Sequence, residues 1–277
     1  MMDSDSGIST APLLGSDEPP PVELVNAGGY SSAVLVCDHA SNRVPRRLGS
    51  LGLDAVQLAD HIGWDPGAAD VARRLSALLD APLVLSGYSR LVIDCNRPLR
   101  NAGLIAEQSD GVPVPGNRGL SPWERESRIN SLFRPYHDAI DRLLDGRIRQ
   151  PSLLLSIHSF TPVLNGRPRP WHIGISHWRD RRLATLMLGV LAHSGEFTVG
   201  DNEPYPIEDD IDYTIPVHGE GRGLPSLMIE IRQDVIRTAA SADAWAARLA
   251  DAYRMIEAEA LQFFGSSFNA YSASDPS

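Results

Sequence analysis

The sequence predicts an α/β protein in which helices cover a sheet that is largely parallel or mixed. Two observations predict it: short apolar runs of strand length alternate along the chain with longer amphipathic stretches, and polar side chains follow several of the apolar runs. The 277 residues contain no internal repeat and no linker, so one domain over residues 25–265 is expected. Residues 1–24, rich in acidic residues, Ser, Gly and Pro, are expected to form a flexible leader, and residues 266–277 a disordered tail.

The first half of the domain is expected to begin with the strand "AVLVC" at 33–37, followed by a helix within 67–81. Two further strands, "PLVLS" at 82–86 and "RLVIDCN" at 90–96, are separated by a short turn. A helix within 120–146 comes next. Ser121 is its expected N-cap, Pro122 its first residue and Glu124 the partner in a capping box, while Gly146 occupies the C-cap.

The second half is expected to contain strands at 152–160, 171–176 and 226–234. A helix over about 179–193 and a final helix over about 241–263 complete the pattern. Between them, residues 200–223 form a long loop that includes the Gly-rich stretch "HGEGRG". Helices therefore alternate with strands to the end of the domain, as in an α/β sandwich.

Composition excludes several classes of function. The net charge is −10, with a pI of about 5.2, so we expect no nucleic-acid partner. No apolar stretch approaches the ~18 residues of a membrane span, and the first residues lack the pattern of a signal peptide, so a cytoplasmic location is expected. The two cysteines form no CxxC pair. The chain has no lysine, which excludes Schiff-base chemistry on this chain, and its oligomeric state is left open.

Polar residues at the predicted strand ends are the candidates for a site, because ligands of open α/β sheets collect at the carboxyl ends of the strands. These residues are Asp38 and His39, then Asp94, Asn96 and Arg97, then His158, and finally Glu230, Arg232 and Asp234. Two imidazoles suit a zinc ion, which polarises a carbonyl and lowers the pKa of water towards ~7. A carboxylate in an apolar strand, such as Glu230, should be paired, protonated or catalytic.

Other interpretations of the same residues stay open at this point. A single histidine at a strand end is more often structural than a ligand. Glu230 could simply pair with Arg232 or with a remote arginine. The segment "DCNRP" could be a turn in which Asp94 and Asn96 cap backbone groups before Pro98. The coincidence of such residues at several strand ends favours a site.

Five motifs in order resemble the N-formylglutamate amidohydrolase family, specifically its less characterised, predicted branch. They are "VCDHASNRVP", "DHIGWDPGA", "RLVIDCNRP", "SIHSF" and "HGEGRGLPSLMIEIRQD", and they extend from about Val34 to Val235. The resemblance implies a three-layer α/β/α sandwich around a mixed, largely parallel sheet. That fold is phosphorylase/hydrolase-like, as in zinc carboxypeptidases and aspartoacylase-type deacylases.

The resemblance also implies roles for individual residues. His39 and His158 would bind Zn2+ or another divalent metal, and Glu230 would act as general base and acid. Asn96 and Arg97 would hold a substrate carboxylate and polarise the scissile carbonyl.

The third metal ligand departs from the pattern of the zinc carboxypeptidases. Asn42 stands where those enzymes place a glutamate, so Asp60 is the preferred third ligand, with Asp65 as the alternative. Asn42, His218 and Arg222 are further candidates for substrate binding.

The function expected from this resemblance is a metal-dependent amidohydrolase. Its substrate would be a small N-acyl amino acid such as N-formyl-L-glutamate, from which it removes an acyl group, possibly formyl. The acidic stretch within 203–223 differs from that of the better-known family members. A deacylase or carboxypeptidase-like hydrolase acting on another amide, and a metal-free protein that binds carboxylates, therefore remain alternatives.

Overall fold

Seven strands form one sheet in the computed structural model, which describes the backbone of residues 12–271 and the side chains of residues 12–263. The predictions for residues 1–11 and 272–277 lie outside the described residues. The strands are β1 (Val22–Val25), β2 (Ala33–Cys37), β3 (Leu83–Ser86), β4 (Leu153–Phe160), β5 (Ile173–Ser176), β6 (Val199–Asp201) and β7 (Ser226–Arg232). Their order across the sheet is β1-β3-β2-β4-β7-β5-β6.

The sheet is mixed and mostly parallel, as predicted. Strands β3, β2, β4 and β7 are parallel to one another, and β5 pairs in parallel with β6. Strand β1 is antiparallel to β3, and β5 is antiparallel to β7. The carboxyl ends of the four central strands therefore meet at a single edge, which is where such sheets bind ligands.

Helices cover both faces of the sheet, which confirms the three layers. They are α1 (Ala55–Ala59), α2 (Ala68–Leu79), α3 (Pro122–Arg128), α4 (Arg134–Asp145), α5 (Arg182–His193) and α6 (Ala239–Tyr271). Alternate residues of each strand point to opposite faces. Leu35 and Ile157 pack in one apolar cluster with α2, α5 and α6, whereas Val34 and Leu154 pack in another with α4.

The helical region within 120–146 begins and ends as predicted but is interrupted in the middle. Ser121 and Glu124 form the capping box, and Gly146 is the C-cap. A π-helical turn, Ile129–Phe133, separates α3 from α4. Pro135 follows this turn and has no N–H for the usual bond to residue i−4, so the hydrogen-bond ladder shifts by one residue there.

The predicted strand at 90–96 is wrong, because this segment is a series of buried turns. Its backbone groups bond locally or to a neighbouring loop rather than to a strand. The Asp94 carboxylate accepts a hydrogen bond from the Asn96 N–H at 2.9 Å, and the Asp94 N–H donates to the Leu104 carbonyl at 2.8 Å. Apolar residues here are buried beneath loops, so burial without strand pairing produced the misleading pattern.

The two ends of the domain also differ from the expected boundaries. Strand β1 begins within the predicted leader of residues 1–24, and Leu13 is also buried there. Helix α6 begins two residues before its predicted start and continues to Tyr271. Among the described residues, no helix is both long and apolar enough to cross a bilayer.

Candidate active site

Two buried histidines and an aspartate meet at the carboxyl edge of the sheet. His39 follows β2 and His158 lies near the end of β4, and their ring centroids are 5.0 Å apart. Asp65 Oδ2 lies 2.9 Å from His158 Nδ1 and 3.4 Å from His39 Nδ1. One ligand atom from each of the three residues lies within 4.8 Å of the other two.

The chain brings Asp65 to this point through the turn that precedes α2. The Asp65 N–H donates to the His39 carbonyl at 3.0 Å, which ties the turn to the end of β2. Gly67 then precedes α2 as its N-cap with φ of +83°, a conformation that favours glycine. Because Gly67 is the N-cap, the Asp65 carboxylate is not used as a cap and points to the histidines instead.

A second carboxylate stands behind each histidine. His39 Nε2 lies 2.7 Å from Asp94 Oδ1, and His158 Nε2 lies 2.8 Å from Asp38 Oδ2. A carboxylate only accepts hydrogen bonds, so each Nε2 carries the proton and donates it. When each ring is neutral, its Nδ1 lone pair therefore faces Asp65.

Three electron-pair donors that face one another need a positive charge between them. Two imidazoles and one carboxylate form a common ligand set for zinc. Carboxylates that fix the orientation of ligating histidines are likewise a regular feature of such sites. The residues present therefore fit a divalent cation held by His39, His158 and Asp65.

The electrostatics of the site favour bound positive charge. Burial opposes the charged form of His158, yet the hydrogen bonds that its ring donates to Asp38 and Asp65 hold its pKa well above the ordinary value. Burial opposes ionisation of Asp65, but the two histidines keep its pKa low. Arg90 adds one cation, 2.7 Å from Asp94 and 3.4 Å from Asp65. Three carboxylates thus surround two imidazoles and one guanidinium.

Glu230 lies beside this group on the same face of the sheet. It pairs in register with His158 across β7 and β4, so both side chains point towards the layer that contains α4. Glu230 is 5% exposed, and its Oε2 has no hydrogen-bond partner. Burial raises the pKa of Glu230 to about 7. A carboxyl group in this state can both accept and return a proton near neutral pH.

A cavity of about 370 Å³ opens onto these groups. Its walls include His39, Asp65, His158 and Glu230, together with Arg90 and Arg97. Such a volume accommodates a small molecule. The cavity therefore gives a ligand of that size access to the histidines and to Glu230 at once.

Asn96 and Arg97 reach the cavity wall, but their polar groups also hold a neighbouring loop. The Asn96 carbonyl oxygen accepts hydrogen bonds from the N–H groups of Tyr213 and Thr214, and its amide donates to Asp212 at 3.0 Å. Arg97 Nη1 donates to the Ile211 carbonyl at 2.9 Å. Asn96 thus fastens the loop, while Arg97 keeps other N–H groups for a ligand.

The other predicted site residues lie apart from the histidine group. Asp60 has a side chain that is 60% exposed and bonds to the adjacent His61, so Asp65, not Asp60, faces the two metal-ligand candidates. Asn42 is half-buried and is absent from the described cavity wall. His218 and Arg222 both bind Asp141 on α4, away from the described wall. The positions of these residues along the sequence did not indicate which way their side chains point.

Sequence reasoning missed two further residues of the site. Arg90 was read only as the start of a strand, although it lies four residues before Asp94 and pairs with it. Tyr205, which lines the cavity, lies in the acidic stretch within 203–223. The spacing of four residues between Arg90 and Asp94 could have indicated the first; no local signal indicated the second.

Comparison with known proteins gives consistent results. The profile of the N-formylglutamate amidohydrolase family matches residues 31–237. An N-formylglutamate deformylase of Pseudomonas putida is 30% identical over 161 residues, which cover 51% of this chain and 58% of that protein. This chain therefore spans less than two thirds of that curated relative.

Two solved structures share the fold. A gene product of Agrobacterium tumefaciens is 37% identical, with a TM-score of 0.83 over 94% of this chain and 99% of that one. An N-formylglutamate amidohydrolase of Ralstonia eutropha is 21% identical, with a TM-score of 0.67 over 86% of this chain and 99% of that one, which shows the fold alone. Because the family profile covers most of the domain, including every residue of the histidine group, the chain belongs to the N-formylglutamate amidohydrolase family.

Proposed function

We propose that this protein is a metal-dependent amidohydrolase that removes the formyl group from N-formyl-L-glutamate. The observation that carries the proposal is the convergence of His39, His158 and Asp65 beside the unpartnered Oε2 of Glu230 in one cavity. A ligand set for a cation and a carboxyl group that titrates near neutral pH are the two parts that hydrolysis of an amide requires. The family match and the curated deformylase support formylglutamate as the substrate.

The residues of the cavity divide the chemical work. A divalent cation held by His39, His158 and Asp65 would supply Lewis acidity, which acidifies water and polarises a carbonyl oxygen. Glu230, with its pKa raised to about 7 by burial, accepts the proton of the attacking water and returns it to the leaving amine. Arg97 supplies positive charge for the developing oxyanion, and such preorganised charge contributes a few kcal/mol per donor.

A hydrolase of the same fold acting on another amide is the second candidate. The observation that favours it is the acidic segment, from which Glu208 and Asp212 line the cavity and change its charge. A deacylase or carboxypeptidase-like activity would use the same histidine group and Glu230. A substrate panel separates the two candidates, because only the first requires the formyl group and glutamate together.

Cytoplasmic residence belongs to this proposal. Both cysteines, Cys37 and Cys95, are buried and free, as expected for a reducing compartment. Zinc is the metal we expect, because two imidazoles and a carboxylate suit it, although other divalent ions bind such sites.

The test combines metal analysis with a formate-release assay. The purified protein should contain about one zinc per chain and release formate from N-formyl-L-glutamate. Glu230→Gln should keep the metal and lose on the order of 10³-fold in kcat, since the proton acceptor is gone. Glu196→Gln, a change in an exposed carboxylate that faces Arg248, is the control and should be silent. A protein that takes up no metal would sink the mechanism, and unchanged turnover of Glu230→Gln would remove Glu230 from it.

A further inference from the structure

A buried arginine without a counter-ion lies directly behind one wall of the cavity. Arg169 is more than nine-tenths buried, and its Nη1 has no hydrogen-bond partner. Its guanidinium carbon lies 4.7 Å from the ring centroid of Tyr205 and 5.6 Å from that of Phe160, and both rings line the cavity. Within the described part of the chain, no carboxylate forms an ion pair with Arg169. A buried cation in this state is costly unless something compensates it.

The two arginines that line the cavity differ from Arg169 in this respect. Arg90 is paired with Asp94 and Asp65. Arg97 lies 3.9 Å from both Asp94 and Asp212. Their charges are therefore largely balanced by the protein itself, whereas that of Arg169 is not.

The charge of Arg169 reaches the cavity through Tyr205. Arg169 Nη2 donates to the Tyr205 hydroxyl oxygen at 2.7 Å. A guanidinium has only donors, so the tyrosine oxygen is the acceptor and its own hydrogen must point elsewhere. No described residue accepts a hydrogen bond from that hydroxyl. The tyrosine is thus a hydrogen-bond donor in the cavity wall, polarised by a cation behind it.

The remaining charges on the wall restrict what this donor can serve. Glu208 and Asp212 both line the cavity and would repel an anion. An anionic group of a ligand therefore needs the part of the wall where a cation is unbalanced. Tyr205 with Arg169 behind it meets that requirement.

We infer that the Tyr205 hydroxyl, held by Arg169, binds a carboxylate of the substrate and so selects acidic N-acyl amino acids. Tyr205 touches the ligand, and Arg169 is a positioning residue that acts through it. The inference rests on the proposed function for the identity of the substrate. It assigns the selection to a residue of the acidic segment, where this chain departs from the better-known members of the family.

The experiment measures selection against neutral analogues. Formate release is followed with N-formyl-L-glutamate and with its two amides, N-formyl-L-glutamine and N-formyl-L-isoglutamine. The parent protein should prefer the diacid over at least one amide. Tyr205→Phe keeps the ring and removes the hydroxyl. It should reduce kcat/KM for the diacid about tenfold, mainly through KM, and change the disfavoured amide less than about twofold.

Arg169→Gln should reproduce the loss of selection, and Arg169→Lys should restore part of it. Tyr88→Phe is the matched control, because it also removes one tyrosine hydroxyl bonded to a single partner, the Pro19 carbonyl. Equal losses for all three substrates in Tyr205→Phe, or no loss at all, would overturn the inference, as would a parent protein without preference.

A calorimetric titration separates this inference from the proposed function. L-Glutamate is titrated into the zinc-loaded protein and into its Tyr205→Phe variant. Binding that weakens about tenfold in the variant supports the inference, even if no formate is released from any of the three substrates and the proposed function fails. The same affinity in both proteins, or no binding to the parent, contradicts it.

Discussion

The protein contains two pairs of buried histidines that differ in what their ring nitrogens face. The rings of His39 and His158 are 5.0 Å apart, and those of His137 and His218 are 5.1 Å apart. In the second pair, His137 Nε2 donates to the Cys95 carbonyl at 2.9 Å, so its Nδ1 accepts from His218 Nε2 at 2.8 Å. In the first pair, both outer nitrogens donate to carboxylates and both inner nitrogens face Asp65.

Proximity and burial alone therefore do not make two histidines a metal site. The second pair shares one hydrogen bond between its rings, and its other two nitrogens lie against the Cys95 carbonyl and Asp141. The two rings stack with an interplanar angle of 17°. Burial, with His218 alongside, lowers the pKa of His137 to about 3, so that ring stays neutral. The first pair is surrounded by carboxylates that favour bound positive charge. The direction of the second ring nitrogen decides the role of each histidine.

We expect the largest effect from replacing Asp65, the carboxylate that faces both rings of the first pair. Asp65→Asn keeps the shape of the side chain but replaces a ligand oxygen with a neutral amide. We expect zinc affinity to fall at least about a hundredfold, equivalent to about 3 kcal/mol, and formate release to fall with it. Asp141→Asn makes the same change beside His218 and should leave zinc affinity unchanged.

Zinc competition with a chromophoric chelator measures both variants, and thermal melts confirm that each one folds. The assignment of the metal site to the first pair would be contradicted if Asp141→Asn lost zinc as readily as Asp65→Asn.

In the metal-free protein, Glu230 should make the free energy of unfolding depend on pH. Its pKa rises from 4.5 to about 7 on folding. The protonated form is therefore favoured in the folded chain. Protonation of Glu230 therefore stabilises the folded protein. This stabilisation is complete below pH 4.5 and is lost as the pH rises through about 7. It amounts to about 3 kcal/mol.

Glu230→Gln removes this titration, so the variant should gain about 3 kcal/mol over the parent between pH 4 and pH 8. Urea unfolding of chelator-treated protein across that range gives the difference directly. A difference that stays constant with pH would show that Glu230 titrates normally.

The smallest effect concerns the carboxylates outside the ligand group. Asp94→Asn weakens the acceptor that orients His39, and such changes typically reduce metal affinity 10- to 100-fold. We expect the lower end of this range, about tenfold, because an amide oxygen can still accept the Nε2 hydrogen bond. Asp60→Asn, on an exposed side chain, should change affinity less than about twofold. The order of these two variants in a zinc competition assay tests the assignment of Asp65 over Asp60; the reverse order would restore Asp60 as the ligand.

Much of the fold follows from local patterns in the sequence. The apolar runs of β2, β4 and β7 and the capping box at Ser121 are confirmed by the structure. The prediction of a strand at 90–96 was wrong because a buried turn and a buried strand have the same apolar composition. What separates them is the pairing of the backbone, which depends on residues far away in the chain.

For the site, local patterns in the sequence indicate which side chains stand at the strand ends. His39 follows the apolar run of β2, and alternation along β4 and β7 orients His158 and Glu230. Which carboxylate completes the site with the two histidines depends on the tertiary structure. Asp60 and Asp65 both lie in the same short segment, and the turn before α2 points only Asp65 at the histidines. The physical reason is that a ligand is defined by the direction of one oxygen atom. That direction depends on the hydrogen bond from Asp65 to the His39 carbonyl and on the backbone conformation of Gly67, which only the folded chain establishes.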